Sequence, residues 1–218
     1  MRRQFAVIGL GRFGTSVART LFHLGQEVLA VDINEDRLRY VSEEVTSTAI
    51  ADTTDVAALK SIGIRNFDVA VVAIGGDVQA NIMTTLLLKD QGVPLVVAKA
   101  LNKMQGRVLE KVGADRVVYP EREMGKRVAH SLVCPNLVDY IEIAAGYRVE
   151  EMVAPRWMHG KTLGQMELRK KHGVTAILIR HADGTIDFSP GADGMVREGD
   201  ILVLAGAVED LDRLEQKD

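Results

Sequence analysis

Gly9-Leu10-Gly11-Arg12-Phe13-Gly14 directly follows the apolar run Phe5 to Ile8, and Asp32 closes a second apolar run, Val28 to Val31, eighteen residues beyond Gly14. Glycines at this spacing permit a tight strand-to-helix turn and a close backbone approach. The unpaired N–H groups and dipole of the helix that follows attract an anion. A carboxylate at the end of the second strand accepts hydrogen bonds from ribose hydroxyls and repels a 2′-phosphate. The pattern predicts a nucleotide whose phosphates rest on the first helix, rather than a bare βα turn. Arg12 stands in the first helical turn, where the dipole disfavours a cation unless an anion is present. Its reach suits the distal phosphates of ATP or ADP at least as well as NAD; the alternative is an arginine directed into water or paired with a carboxylate.

Other candidates follow from the rule that open α/β sheets bind ligands beyond the carboxyl ends of their strands. Phe13 in the turn, and Ile33 and Asn34 after Asp32, border the same position. Asn34 also suits a helix N-cap. Asp52 and Thr53 follow the third strand, where a carboxylate either accepts from an adenine amine or caps the next helix. Ile74 and Gly75 follow the fourth strand, where a small residue lets the backbone approach a ligand. Lys99 follows the fifth and is either a phosphate-binding point charge or a surface lysine. Glu121, after Pro120, either helps hold a divalent cation on nucleotide phosphates or simply complements a helix dipole.

The elements that must position these residues are short. Phe5 to Ile8, Val28 to Val31, Ser47 to Ile50, Val69 to Ala73, Leu95 to Ala98 and Arg116 to Tyr119 alternate with amphipathic stretches. Near-continuous apolar strands between helices predict an α/β, Rossmann-like doubly wound parallel sheet covered on both faces. Glu121 to Leu132 is helical in pattern, and Cys134-Pro135-Asn136 breaks it, so domains of residues 1–135 and 136–218 are expected. The second reads as a small α+β module. Its elements are strands Glu142 to Val153 and Gly173 to His181, a helix Leu163 to Lys171, and a turn Ala182-Asp183-Gly184 into Thr185 to Phe188. A strand Ile201 to Ala205 and a helix Val208 to Glu215 complete it.

Composition narrows the function further. The 218 residues carry 27 basic and 30 acidic side chains, a net charge of −3, which gives no general drive toward nucleic acid. Apolar runs such as Val69 to Ile74 are too short to span a bilayer, and Met1-Arg2-Arg3-Gln4 leads into a strand rather than a signal peptide. One cysteine, Cys134, excludes an internal disulfide and fits a reducing cytosol. No catalytic set is visible. Tyr40, Tyr119, Tyr140 and Tyr147 lack a lysine four residues later. The histidines show no metal-ligand spacing, and the glycine motif is not that of a P-loop hydrolase. A small NAD-dependent oxidoreductase or an NAD(H)-linked redox sensor remains the alternative, without a visible acid/base or DNA-binding element.

The segments Gln4 to Gly14, Glu27 to Asp32 and Gly113-Ala114-Asp115-Arg116-Val117 with Pro120-Glu121 resemble the cytosolic regulatory subunits of Ktr/Trk potassium uptake systems, nearest the Ktr type A. These are built of RCK (KTN) domains. Arg197-Glu198-Gly199-Asp200-Ile201-Leu202-Val203-Leu204-Ala205-Gly206 resembles the C-terminal RCK lobe more loosely. The resemblance implies a non-catalytic regulator assembled from dimers into an octameric ring. Such a ring docks on a membrane potassium-translocating subunit and so sits peripherally on the cytoplasmic face of the membrane. ATP versus ADP, or NAD(H), selects the ring's shape. It also implies that Arg12 senses the terminal phosphate, that Asp32 holds the ribose, and that Glu121 helps bind Mg or Ca. Some relatives bind cyclic di-AMP in the C-lobe; the matching positions here are Leu168, Arg169, Ile177 and Pro190, which otherwise read as a small core with a surface arginine. Ala51 stands where many relatives have glycine, which implies a less open adenine-side loop.

Overall fold

The computed structural model describes residues 2–133, 136–215 and 217. Cys134 and Pro135, at the expected domain boundary, lie outside them. By its internal contacts the chain divides into two compact units, the second beginning at Glu123.

The first unit alternates strand and helix: β1 (Gln4–Ile8), α1 (Arg12–His23), β2 (Glu27–Asp32), α2 (Glu35–Val41), β3 (Ser47–Ile50), α3 (Val56–Ser61), β4 (Val69–Val72), α4 (Val78–Asp90), β5 (Leu95–Lys99), α5 (Lys103–Lys111) and β6 (Arg116–Val118). Helix α6 (Pro120–Val133) contains the division between units. All six strands are parallel, in the order β3-β2-β1-β4-β5-β6, which is the doubly wound order expected from the sequence. Side chains alternate across the sheet. Ala6 and Ile8 of β1 join one apolar cluster with Leu59, Leu88 and Leu109, while Val7 joins the other with Ala18, Val28 and Leu38. Covering both faces is why the strand interiors read as unbroken apolar runs, and each fully buried Leu or Ile contributes about 1.5–3 kcal/mol relative to exposure. The order reverses between β1 and β4, which opens a crevice at their carboxyl ends.

The second unit holds β7 (Leu137–Ala144), β8 (Tyr147–Val153), β9 (Lys161–Thr162), α7 (Leu163–Met166), α8 (Leu168–His172), β10 (Thr175–Arg180), β11 (Ile186–Phe188), β12 (Met195–Val196), β13 (Ile201–Ala207) and α9 (Val208–Glu215). An antiparallel sheet ordered β11-β10-β13-β8-β7 packs with α9 around Met152, Ile179, Leu202, Leu204, Leu211 and Leu214. The expected α+β module is present, with two corrections. The single strand expected from Glu142 to Val153 is a hairpin, because Gly146 at φ 78° reverses the chain between β7 and β8. The single helix expected from Leu163 to Lys171 is two short ones, because Glu167 adopts a left-handed φ of 47° between them. No helix among the described residues is long and apolar enough to cross a membrane.

Candidate functional site

The glycine turn lies at the reversal in strand order. Gly9 has φ 90°, and a Cβ there would stand 2.9 Å from the Ile74 nitrogen. A Cβ on Gly14 would fall 1.9 Å from the Gly9 carbonyl oxygen. Only glycine fits either position, and the two lock β1, α1 and the end of β4 together. Gly11 is the N-cap of α1, with no side-chain cap and no acid in the first turn, so neither a side-chain acceptor nor a carboxylate competes for the helix's first N–H groups. Arg12 is exposed at that terminus, and Phe13 is half-buried behind it.

Asp32 is buried, at 5 % exposure. One carboxylate oxygen accepts from the Leu10 N–H at 2.6 Å, the other from the Asn34 N–H at 2.9 Å. Bonds of this charge-assisted kind contribute about 1.5–3 kcal/mol each. Asp32 therefore shapes the glycine turn as well as facing it, and a carboxylate's four lone-pair sites leave acceptor capacity for a hydroxyl. Arg37 also reaches it, 3.3 Å away, a partner the sequence reading missed because the pairing depends on how α2 packs. Asn34 caps α2 through bonds from Asp36 and Arg37 N–H, and Ile33 is 73 % exposed.

Beyond β3, Asp52 holds Thr54 through both its hydroxyl and its N–H, which keeps the carboxyl below the usual aspartate range. Asp55, not Asp52, caps α3. Thr53 is buried and its hydroxyl bonds that of Thr84 at 2.8 Å, so this hydroxyl is committed to the interior. Ala51 packs into the apolar core.

At the ends of β4, β5 and β6 the structure joins four candidates, Ile74, Gly75, Lys99 and Glu121. Lys99 is 8 % exposed, not a surface lysine, and its Nζ donates to Glu121 Oε1 at 2.6 Å. That bond is the main influence holding the Glu121 carboxyl below the usual glutamate range; burial opposes it, and the charge of Arg12 adds to it. Asn81, which no local sequence signal marks, donates its Nδ2 to the carbonyls of Ile74 and Lys99 at 2.7 and 3.2 Å. The glycine turn, Ile74, Gly75, Lys99 and Glu121 thus form one continuous rim. Glu121 offers a cation one ionised, 63 % exposed carboxylate, and no group of three His, Cys, Asp or Glu side chains suited to a metal exists among the described residues. That donor set fits a cation held mainly by a ligand's phosphates.

In the second unit, a cleft of about 440 Å³ is lined by Leu163, Leu168, Arg169, Thr175 and Pro190 among others. Ile177 is not part of that lining, although its carbonyl accepts from Ser189 beside Pro190.

A doubly wound sheet with a glycine turn at its reversal point, followed by a small antiparallel module, defines a two-lobed protein of the Rossmann class. The TrkA-N domain matches residues 5–120 and the TrkA-C domain residues 148–217. The chain is 42% identical over 217 residues to Ktr system potassium uptake protein C of Bacillus subtilis strain 168, covering 100% of this chain and 98% of that one. It is 43% identical over 215 residues to Ktr system potassium uptake protein A of the same organism, covering 99% and 96%. Among solved structures, the GsuK channel bound to NAD superposes with a TM-score of 0.65 at 19% identity, over 99% of this chain and 39% of that one. This chain therefore spans about two-fifths of the channel's length, and that likeness concerns the fold. The chain belongs to the TrkA-N/TrkA-C family of Ktr and Trk potassium uptake proteins.

Proposed function

We propose that the protein is the nucleotide-sensing gating subunit of a potassium transporter. The observation that carries the ligand reading is the uncapped, acid-free N-terminus of α1 with Arg12 on it, facing a rim that holds Lys99 and Glu121. Three charged groups converge where a phosphate chain leaving the α1 terminus would run. Asp32 at the tip of β2 then takes the ribose, with Gly9, Gly11, Phe13, Gly14, Ile33, Asn34, Asp52, Thr53, Ile74 and Gly75 bordering the nucleotide. When a cation such as Mg or Ca accompanies ATP, Glu121 supplies one ligand and the phosphates supply others. ATP and ADP differ in the charge they present to Arg12, and a ligand shifts a conformational equilibrium only by such a difference in affinity.

NAD(H) is the second ligand reading. Asp32 is compatible with it, since a ribose-side carboxylate serves either nucleotide, and a fold neighbour, the GsuK channel, is bound to NAD. The remaining parts of the proposal are lobes of residues 1–135 and 136–218, dimers closing into an octameric ring, and docking on a membrane potassium-translocating subunit from the cytoplasmic side. The cleft at Leu168, Arg169 and Pro190, with Ile177 close by, is proposed as one half of a cyclic di-AMP site. The role requires no catalytic group.

Calorimetry of ATP, ADP and NADH binding tests the reading. Wild type should bind ATP more tightly than ADP or NADH, and Arg12→Ala should lose about tenfold or more of the ATP preference, the scale of one charge-assisted contact. Equal ATP and ADP affinities in wild type, with no change in assembly geometry, would overturn the gating role.

A further inference from the structure

The Lys99 ammonium stands at the junction of two demands. Its Nζ is 2.6 Å from Glu121 Oε1 and 3.4 Å from the point a Cβ on Gly75 would occupy, so it lies over the half-buried backbone beyond β4. It is also 5.9 Å from the centre of the Phe13 ring inside the glycine turn. Its own carbonyl is fixed by Asn81. A tethered lysine of this length reaches the carboxylate and the phosphate position alike. A dication on Glu121 would sit within a few ångströms of the ammonium, where like charges repel strongly.

From this geometry we infer that Lys99 and a divalent cation compete for the Glu121 carboxylate, which makes Lys99 the specificity-determining residue that ties cation binding to the ligand's terminal phosphate. The inference rests on the nucleotide reading of the site given above. With a diphosphate bound, the Lys99–Glu121 pair persists and neutralises the carboxylate. A third phosphate offers the ammonium a stronger acceptor, the lysine turns to it, and Glu121 is released to the cation. The exchange explains how one accessible carboxylate discriminates: it is exposed to solvent at 63 %, yet its charge is already spent on an almost buried lysine.

The test uses the full chain with manganese(II) as the probe, read by calorimetry and by the loss of free-ion paramagnetic resonance signal at saturating ADP and at saturating ATP. Lys99→Met keeps the side chain's length and removes its charge. It should tighten manganese binding to the ADP complex about tenfold, the scale of one nearby positive charge at a partly exposed site, and change the ATP complex less. The gain should vanish in Lys99→Met/Glu121→Gln. Equal manganese affinity of Lys99→Met and wild type in the ADP complex overturns the inference, as does a gain that survives Glu121→Gln. Lys99→Gln provides the same comparison should the methionine variant fail to fold. If wild type binds neither nucleotide in EDTA, the nucleotide reading itself fails and takes the inference with it; nucleotide binding without the manganese effect sinks the inference alone.

Discussion

Each unit of this protein holds a cation against carboxylates, and the two arrangements are opposite in kind. In the first, Lys99 meets Glu121, whose carboxylate stands mostly in solvent. In the second, β8 turns Arg148 and Glu150 inward, where they are 2 % and 1 % exposed, and α9 brings Glu215 and Asp212 onto the same guanidinium. Tyr140 on the adjacent strand contributes its ring face, 5.7 Å from the arginine. Oε1 of Glu150 and Oε2 of Glu215 are buried without a hydrogen-bond partner among the described residues. The inner cluster commits one arginine to three acids and leaves acceptors unmet, so its members cannot be exchanged without large cost. The outer pair leaves its carboxylate mostly in solvent and its ammonium near the Phe13 ring of the glycine turn. The two pairs differ in exposure and not in length, since both shortest contacts are 2.6 Å.

Removing the inner cation gives the largest expected effect. Arg148→Met should destabilise the second unit by about 3–5 kcal/mol, because it leaves buried carboxylates uncompensated. Trp157, the sole tryptophan, packs against that unit's core, so its fluorescence during urea unfolding reports the loss locally. A loss below about 1 kcal/mol would place the inner cluster with ordinary surface pairs.

Acidity probes the same contrast at a smaller scale. Burial pushes the Glu150 carboxyl up to about 7, and the negative charge of Glu215 adds to burial while Arg148 opposes it. A carboxyl with a raised folded-state value holds its proton longer in the folded than in the unfolded chain. Its contribution to stability is therefore fully present below its ordinary value near 4.5 and is lost as pH rises through about 7. Urea midpoints for the second unit should fall between pH 5 and 7 in wild type and flatten in Glu150→Gln; parallel profiles would refute the assignment.

The smallest effect is expected outside. Glu121→Gln should change stability by about 0–1 kcal/mol, since its side chain is mostly solvated and the amide oxygen still accepts from the nearly buried Lys99. A thermal or urea midpoint shifted as far as that of Arg148→Met would erase the distinction between the pairs.

The sequence made the first unit legible and much of the second obscure for a shared reason. Parallel strands buried on both faces advertise themselves as apolar runs, and glycines at positions 9 and 14 are demanded by contacts so short that no other residue fits. The β7–β8 hairpin hides because Ala145-Gly146 interrupts a run that otherwise alternates like one long strand. The break at Glu167 hides because nothing about a glutamate announces a left-handed backbone. Within the candidate site, Asp32, Lys99 and Glu121 could be proposed from their places at strand ends. Arg37 and Asn81 could not, because their partners come from other elements and only packing brings them together.

Asn81 has a mechanical consequence. By bonding the Ile74 and Lys99 carbonyls with one amide, it makes the tips of β4 and β5 a single stiff body. Ile74 abuts Gly9, which places those tips against the base of α1. Asn81, Ile74 and Gly9 thus form one continuous line of contacts from the tip of β5 to the glycine turn.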